Sequence, residues 1–368
     1  MECPVNFRFF KKNTHSIAAL IPLLPAVELV HKPASGIMLY SFATMQAPFV
    51  FREVAQSVSD SIFIAGGPHP SARPSETLQY FDYVVIGEGE ETLPELVDVL
   101  QNQGDVSSVK GIAFTDMDGK VVFTEKRKTV DLDSYPPFSP GVINSNIEIS
   151  RGCPFGCSYC QTPQLFGHSM RHRSIDQIVK YCAYHRDIRF TSPNAFAYGS
   201  NGKEPRIDKI ESLLKAIPED RNIFFGTFPS EVRPEFISDG ILEIVSKYCA
   251  NTTLSMGGQS GSQRMLEIIH RGHAVEDIIT GAEKCLEHGF VPVVDFIFGL
   301  PGETEEDQLE SVKVIKWLTG KGARIHSHHF MPLPGTAFEN AEPALLGREV
   351  EKLMGKLALD GKATGKWS

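Results

Sequence analysis

The stretch Ile147-Glu148-Ile149-Ser150-Arg151-Gly152-Cys153-Pro154-Phe155-Gly156-Cys157-Ser158-Tyr159-Cys160 runs from an apolar segment into three closely spaced cysteines. Ile147–Ser150 reads as a strand, and the cysteines follow where that strand would end. Their spacing is C-x3-C-x2-C. Thiolates are the ligands that iron–sulfur clusters prefer. Three of them would hold three irons of a [4Fe-4S] cubane and leave the fourth open. Gly152 and Gly156 would let the backbone wrap closely around such a cluster. A structural zinc ion would need a fourth ligand, for which His168 and His172 lie near in sequence.

Strand followed by ligand loop followed by helix is one βα unit, and the pattern repeats downstream. Strands are expected at Ile147–Ser150, Ile188–Thr191, Ile223–Thr227, Thr252–Met256, Val291–Phe298 and Arg324–Phe330. Helices are expected between them near 174–186, 206–217, 234–248, 261–289 (broken at Arg271-Gly272) and 303–319. Six units in about 190 residues are too few for a closed eight-unit barrel and predict a partial, (β/α)6 TIM-like one.

Upstream, strands at Val5–Phe10, Gly36–Tyr40, Ser61–Ala65 and Tyr83–Ile86 alternate with helical stretches near Ser16–Leu24, Phe49–Ser59, Ser75–Tyr80 and Glu91–Gln101. This is the pattern of a doubly wound parallel α/β sheet. Ile112–Phe114 and Val121–Thr124, joined through Asp118-Gly119, predict a terminal hairpin. Residues 131–144, with three prolines and no period, read as a linker. The expected organisation is an α/β domain over 1–130, the linker 131–144, a partial barrel over 145–345, and a helix with a polar tail over 346–368.

Composition narrows the function classes. A formal net charge of −9 over 368 residues argues against a chain that coats nucleic acid or anionic membrane. Seven cysteines, three of them crowded together, do not make a disulfide framework. The apolar stretch Ser16–Val30 is broken by Pro22 and Pro25 and is too short to span a bilayer. A cytoplasmic protein with no membrane span is expected.

With these features in view the chain resembles the radical S-adenosylmethionine (SAM) enzymes, whose signature is this cysteine spacing with an aromatic residue, here Tyr159, before the third cysteine. The resemblance implies that the open iron chelates the amino and carboxylate groups of SAM, and that one electron splits the sulfonium C–S bond to give a 5'-deoxyadenosyl radical. It implies further contacts at later strand ends: Ser192 and Asn194 near the methionine amino group, Glu231 near the ribose, and Gln259 and Ser260 near the cofactor. Arg271 would face the methionine carboxylate, and Phe296 in the fifth-strand segment would pack on adenine. His326, His328 and His329 stand at the barrel mouth as proton donors or substrate contacts.

The N-terminal half resembles the cobalamin (B12)-binding domain that precedes the radical barrel in one subclass, which includes small, mostly archaeal proteins of unassigned reaction. The segments that carry this are Ser41-Phe42-Ala43-Thr44, Gly66-Gly67-Pro68-His69 and Gly87-Glu88-Gly89, all at strand carboxyl ends where open α/β sheets bind ligands. The D-x-H-x-x-G signature survives only as the histidine of Asn13-Thr14-His15. Cys3 is the only cysteine before Cys153, so a second N-terminal cluster is not expected. The resemblance implies a cobalamin-dependent methyltransferase acting on an unactivated carbon of a small-molecule, lipid or peptide substrate. Its electrons would come from a ferredoxin- or flavodoxin-like donor. A radical cyclase or rearrangement enzyme, and a non-catalytic iron–sulfur sensing module, are the alternative expectations.

Overall fold

The computed structural model describes residues 3–57 and 60–368. It divides into two compact units, Met1–Asn146 with Gln164–Phe166, and Ile147–Pro163 with Gly167–Ser368.

The first unit is one seven-stranded sheet. Its strands are β1 (Val5–Arg8), β2 (Val27–Val30), β3 (Ile37–Ser41), β4 (Ile62–Gly66), β5 (Tyr83–Val85), β6 (Ile112–Thr115) and β7 (Val121–Phe123), in spatial order β2-β1-β3-β4-β5-β6-β7. The first five run parallel, and β6 and β7 form the antiparallel hairpin. Alternation along the strands splits the core in two. Ile37 and Leu39 turn to one face, against Ile17, Leu93, Leu96 and Val97 of helices Thr14–Leu20 and Gly89–Gln101. Met38 and Tyr40 turn to the other, against Val50, Phe51 and Val54 of helix Ala47–Ala55. Buried on both faces, such strands read as continuous apolar runs. The expected helix 49–59 is thus observed as Ala47–Ala55, and Val58 and Ser59 lie outside the described residues.

Strand β2 was not expected. It is a short, partly exposed edge strand that follows a turn with Ala26 at φ +49°. The stretch 131–144 also packs rather than hangs free: Leu132 and Phe138 are buried, and Glu88 accepts a hydrogen bond from the Val130 amide at 2.7 Å.

The second unit is a parallel βα series. It holds β8 (Ile147–Glu148), the ribbon β9 (Ser150–Arg151) with β10 (Arg171–His172), β11 (Asp187–Thr191), β12 (Asn222–Phe224), β13 (Thr253–Gln259), β14 (Val291–Phe298), β15 (Arg324–His329) and β16 (Ala363–Gly365). Two parallel sheets, β12-β11-β8 and β13-β14-β15-β16, are joined by backbone bonds from Ser255 N to Gly226 O (2.8 Å) and from Gly257 N to Val232 O (3.0 Å). Helices Ile175–Cys182, Ile207–Ala216, Asp239–Tyr248, Val275–Glu287, Glu305–Lys321 and Arg348–Leu359 intervene. Among the described residues no ladder joins β8 to β16, so the barrel is partial and open. Strand β16, absent from the sequence expectation, adds a seventh parallel strand beside β15. No described helix is long and apolar enough to cross a membrane.

Candidate active site

In the second unit the cysteine loop is fixed from several sides. Arg151, at the end of β9, forms a two-pronged ion pair with Glu148 at 2.8 and 2.7 Å, which sets the strand end. Gly152 has φ +85°, and any Cβ there would run into the Ser169 carbonyl, so only glycine fits. Gly156 has open space around it and no such requirement. Cys153 N bonds Gly167 O at 3.1 Å, and Ser158 N bonds Ile269 O at 3.0 Å, just past helix Gln263–Ile268. Gln161 reaches Pro334 O at 2.7 Å, in the segment after β15.

Cys153, Cys157 and Cys160 line one pocket together with Asn194, Arg233 and Arg271. Tyr159 lines it too. Burial raises the Cys153 thiol above its ordinary value, opposed by a hydrogen bond from the Phe155 backbone. Among the described residues no three His, Cys, Asp or Glu side chains converge to hold a single metal ion. His172 is spent elsewhere: Nε2 donates to Ser200 O at 2.7 Å, and Nδ1 faces Ser150 Oγ at 2.9 Å and accepts from Gly199 N at 3.2 Å. His168 is exposed and outside the pocket lining.

Two polar groups look onto the thiols without full protein partners. Asn194 is 3% exposed, lines the pocket, and has neither side-chain atom hydrogen-bonded. Its backbone amide is held by Ser192 Oγ at 3.3 Å. Arg271 donates from Nη2 to Gly257 O at 2.9 Å and points Nη1 at Cys157 Sγ, 3.9 Å away, while its Nε is buried and unpartnered. A Cβ on Gly257 would lie 2.6 Å from Arg271 Nη2, so this glycine makes room for the guanidinium. Arg233 stacks 3.5 Å over the Phe155 ring and donates to the Arg271 carbonyl, closing the loop from behind. Buried donors and acceptors left open beside three thiols fit a cluster carrying an amino-acid chelator.

The other expected residues fall into two groups. Burial, and then the charge of nearby Glu231, push the Asp295 carboxyl of β14 up to about 9. Asp295 is register-paired with His326, and Ile297 with His328, so these share one face of the sheet. Val294, Phe296 and Phe298 share the opposite face. Val294 and Ile278 of helix Val275–Glu287 both neighbour the space beside Gly258, and Phe296 stacks on Phe298 at 6.5 Å. The expected adenine contact, Phe296, therefore lies on the helix side, and Ile297 is the apolar residue of this segment on the lumen side. Gln259 sits at φ +72° where the β13–β14 register shifts, a backbone conformation that needs outside support in a non-glycine residue. Ser260 is buried, and its hydroxyl accepts from Ser262 N at 3.1 Å and faces Ser311 Oγ at 3.4 Å, away from the thiols in its bonding. His329 lies beside Gly299.

In the first unit the strand order reverses between β1 and β3, which makes a topological switch point. Asn13 stitches it: Nδ2 donates to Arg8 O (3.0 Å) and Ser41 O (3.1 Å). This asparagine stands where the cobalamin signature has aspartate, while His15 pairs with Ser145 at 2.5 Å. Gly67 (φ +97°) brings the β4 loop against β3, where a Cβ would sit 2.9 Å from Ser41 Oγ. Such a cradle, with Thr44 beside it and Gly87 N held by Ser71 at 3.0 Å, fits a ligand laid across the strand ends. The His69 ring does not project from that edge. It is 4% exposed, packed between Phe42 and Phe51, and burial lowers its pKa. Glu88 and Gly89 start the next helix, with Glu88 turned to Val130.

A family model for the radical SAM superfamily matches residues 147–315, and one for the B12-binding domain matches 36–97. The radical SAM match implies SAM and a [4Fe-4S] cluster, and the B12-binding match supports cobalamin. Among relatives of this chain is an uncharacterized methyltransferase of Pyrococcus horikoshii, 25% identical over 295 residues, covering 75% of this chain and 62% of that one. The chain spans about two thirds or less of the length of the first curated relatives it matches. The structure is similar to the radical SAM methyltransferase TsrM from Kitasatospora setae with cobalamin and [4Fe-4S] cluster bound (TM-score 0.70, 16% identity, 92% of this chain and 74% of that one). It is also similar to the cobalamin-dependent SAM radical enzyme OxsB with aqua-cobalamin and SAM bound (TM-score 0.68, 17% identity, 98% and 56%).

Proposed function

We propose that this protein cleaves SAM reductively and, with cobalamin, methylates an unactivated carbon of its substrate. The observation that carries the reading is the single pocket in which three thiols meet a guanidinium and a buried, unpartnered amide. When bound, the cluster supplies the electron that splits the sulfonium, and the corrinoid supplies a methyl carrier. Cys153, Cys157 and Cys160 hold the cluster. Arg271 offsets thiolate charge and offers a cation to the methionine carboxylate. Asn194 offers a donor and an acceptor to the amino-acid end, with Ser192 fixing its backbone. Ile297 and Glu231 serve the nucleoside, and the strained Gln259 turn shapes the wall beside Arg271. Ser41, Thr44, Gly66, Gly67 and Gly87 frame the corrinoid edge. The substrate is a small molecule, lipid or peptide. The electron donor is ferredoxin- or flavodoxin-like, and the reducing cytoplasm suits seven free cysteines.

The test is anaerobic reconstitution with iron and sulfide, then reduction in the presence of SAM and chromatography for 5'-deoxyadenosine. Wild type should release it, and Cys157→Ala should not. No 5'-deoxyadenosine from wild type, or an equal yield from the variant, overturns the reading. A product heavier by one CH2 unit separates methylation from cyclisation, which removes hydrogen.

A further inference from the structure

We infer that Arg233 is a fixed cation behind the cysteine loop, and that its charge, offset in part by Glu235, sets how readily the cluster site takes up an electron. The backbone under it is anchored first. Val232 N bonds Ser255 O at 2.9 Å and Val232 O accepts from Gly257 N at 3.0 Å, so the segment after β12 is stitched to β13. From that base the guanidinium donates from Nε to Glu235 Oε1 at 2.5 Å and from Nη2 to the Arg271 carbonyl. Its face lies 3.5 Å from the ring centre of Phe155, midway between Cys153 and Cys157. A planar fork held on two edges and one face keeps its charge in one place. Arg233 is 4% exposed, so salt and water screen it little. Glu235 is placed differently. Arg233 lines the pocket of the three thiols, whereas Glu235 lies outside its lining with a side chain 22% exposed. Toward the thiols the pair is therefore unbalanced in favour of the cation. His273 adds no charge: its Nδ1 stands 3.6 Å from Glu235 Oε2, its Nε2 donates to Gly258 O at 3.2 Å, and burial, then Arg271 and Arg233, lower its pKa to about 2. An electron delivered by the reductant adds one negative charge at the site. A buried cation favours that reduced state, and net charge is one of the levers on cluster potentials. The inference rests on the cluster site proposed above.

The test is a redox titration of anaerobically reconstituted protein, followed by electron paramagnetic resonance, with iron counted per chain in each preparation. At a fixed solution potential Arg233→Gln should shift the reduced-to-oxidised ratio about tenfold toward the oxidised form, about 59 mV for one electron. That is the order expected of one buried charge at an effective dielectric of about 20. Glu235→Gln keeps an acceptor for Arg233 Nε and should shift the ratio the opposite way, by about threefold, because a partly solvated carboxylate is screened. Arg233→Lys keeps the charge and should stay within about threefold of wild type. Opposite shifts in the two glutamine variants separate charge from packing, since a loop held by packing alone gives Arg233→Lys and Arg233→Gln the same shift. An unmoved ratio in iron-replete Arg233→Gln, or a Glu235→Gln shift in the same direction, overturns the proposal. Where Arg233→Gln retains no iron, Glu235→Gln decides: a ratio raised toward the reduced form supports the proposal, and any other result overturns it. Loss of iron from both variants also overturns it, since the pair then serves only to fold the loop. Wild type that takes up no cluster overturns the function proposed above, a failure visible before any variant is made.

Discussion

The Arg271 guanidinium reaches to 3.9 Å from the Cys157 thiol while holding Gly257 O at 2.9 Å, so one side chain ties the cysteine loop to the end of β13. Its planar fork does both at once, and lysine cannot. Arg271→Lys should keep iron near the wild-type level and lower SAM affinity by about 10- to 100-fold, the loss of one or two charge-assisted bonds. Arg271→Ala should also lower iron content. Iron analysis and calorimetry on the same preparations check this. Equal SAM affinity in Arg271→Lys would show that the guanidinium serves the loop alone.

Asn194 makes the opposite trade. Its side chain holds no protein hydrogen bond although it is 3% exposed. Asn194→Ala should therefore leave the melting temperature of the ligand-free protein within about 2 °C, or raise it, because a desolvated amide is removed. SAM affinity should fall about tenfold. Thermal melts with and without SAM make the measurement. A large loss of stability without ligand would mean that the amide has protein partners.

The cluster loop was readable because its three ligands are contiguous and its glycine and strand end lie in the same few residues. Arg271 was singled out by the family resemblance, at the break Arg271-Gly272, and its guanidinium lies 3.9 Å from Cys157. Phe296 was misplaced because Val291–Phe298 is apolar at nearly every position, and a strand buried on both faces does not declare which parity faces the lumen. The one charged residue in the run, Asp295, was the available signal: a lone acid there must face a partner. His69 reads as a loop residue from Gly66-Gly67-Pro68-His69, but its ring is claimed by Phe42 and Phe51, contacts distant in sequence. Strands β2 and β16 are four and three residues long, too short to show a period.

A change at Gly67 should distinguish corrinoid retention from iron retention. Its φ of +97° and the 2.9 Å approach of a Cβ to Ser41 Oγ exclude a side chain without movement of the loop. Gly67→Ala costs about 1–3 kcal/mol of local strain and should lower corrinoid content of the purified protein severalfold, with iron per chain unchanged. Visible spectra with metal analysis read both. A parallel loss of iron and corrinoid would place the effect in global folding, and an unchanged corrinoid content would remove this loop from the binding edge.

Glu303 sets a pH dependence of stability. Glu303 is 8% exposed, and its carboxyl accepts from Gly299 N at 2.8 Å and has Oε1 buried without a partner. Burial raises its pKa from 4.5 to about 7, with the Gly299 hydrogen bond opposing and Asp307 adding to the rise. The folded state therefore binds this proton more tightly than the unfolded state. The stability it contributes is full below pH 4.5 and is lost as pH rises through about 7. The shift corresponds to roughly 3 kcal/mol between those limits. Glu303→Gln keeps an acceptor for Gly299 N and cannot ionise. Denaturant unfolding should show wild type losing stability relative to Glu303→Gln between pH 5 and 8, with the gap closing at low pH. Parallel curves over that range would mean that Glu303 stays ionised in the fold and that its free oxygen meets a donor.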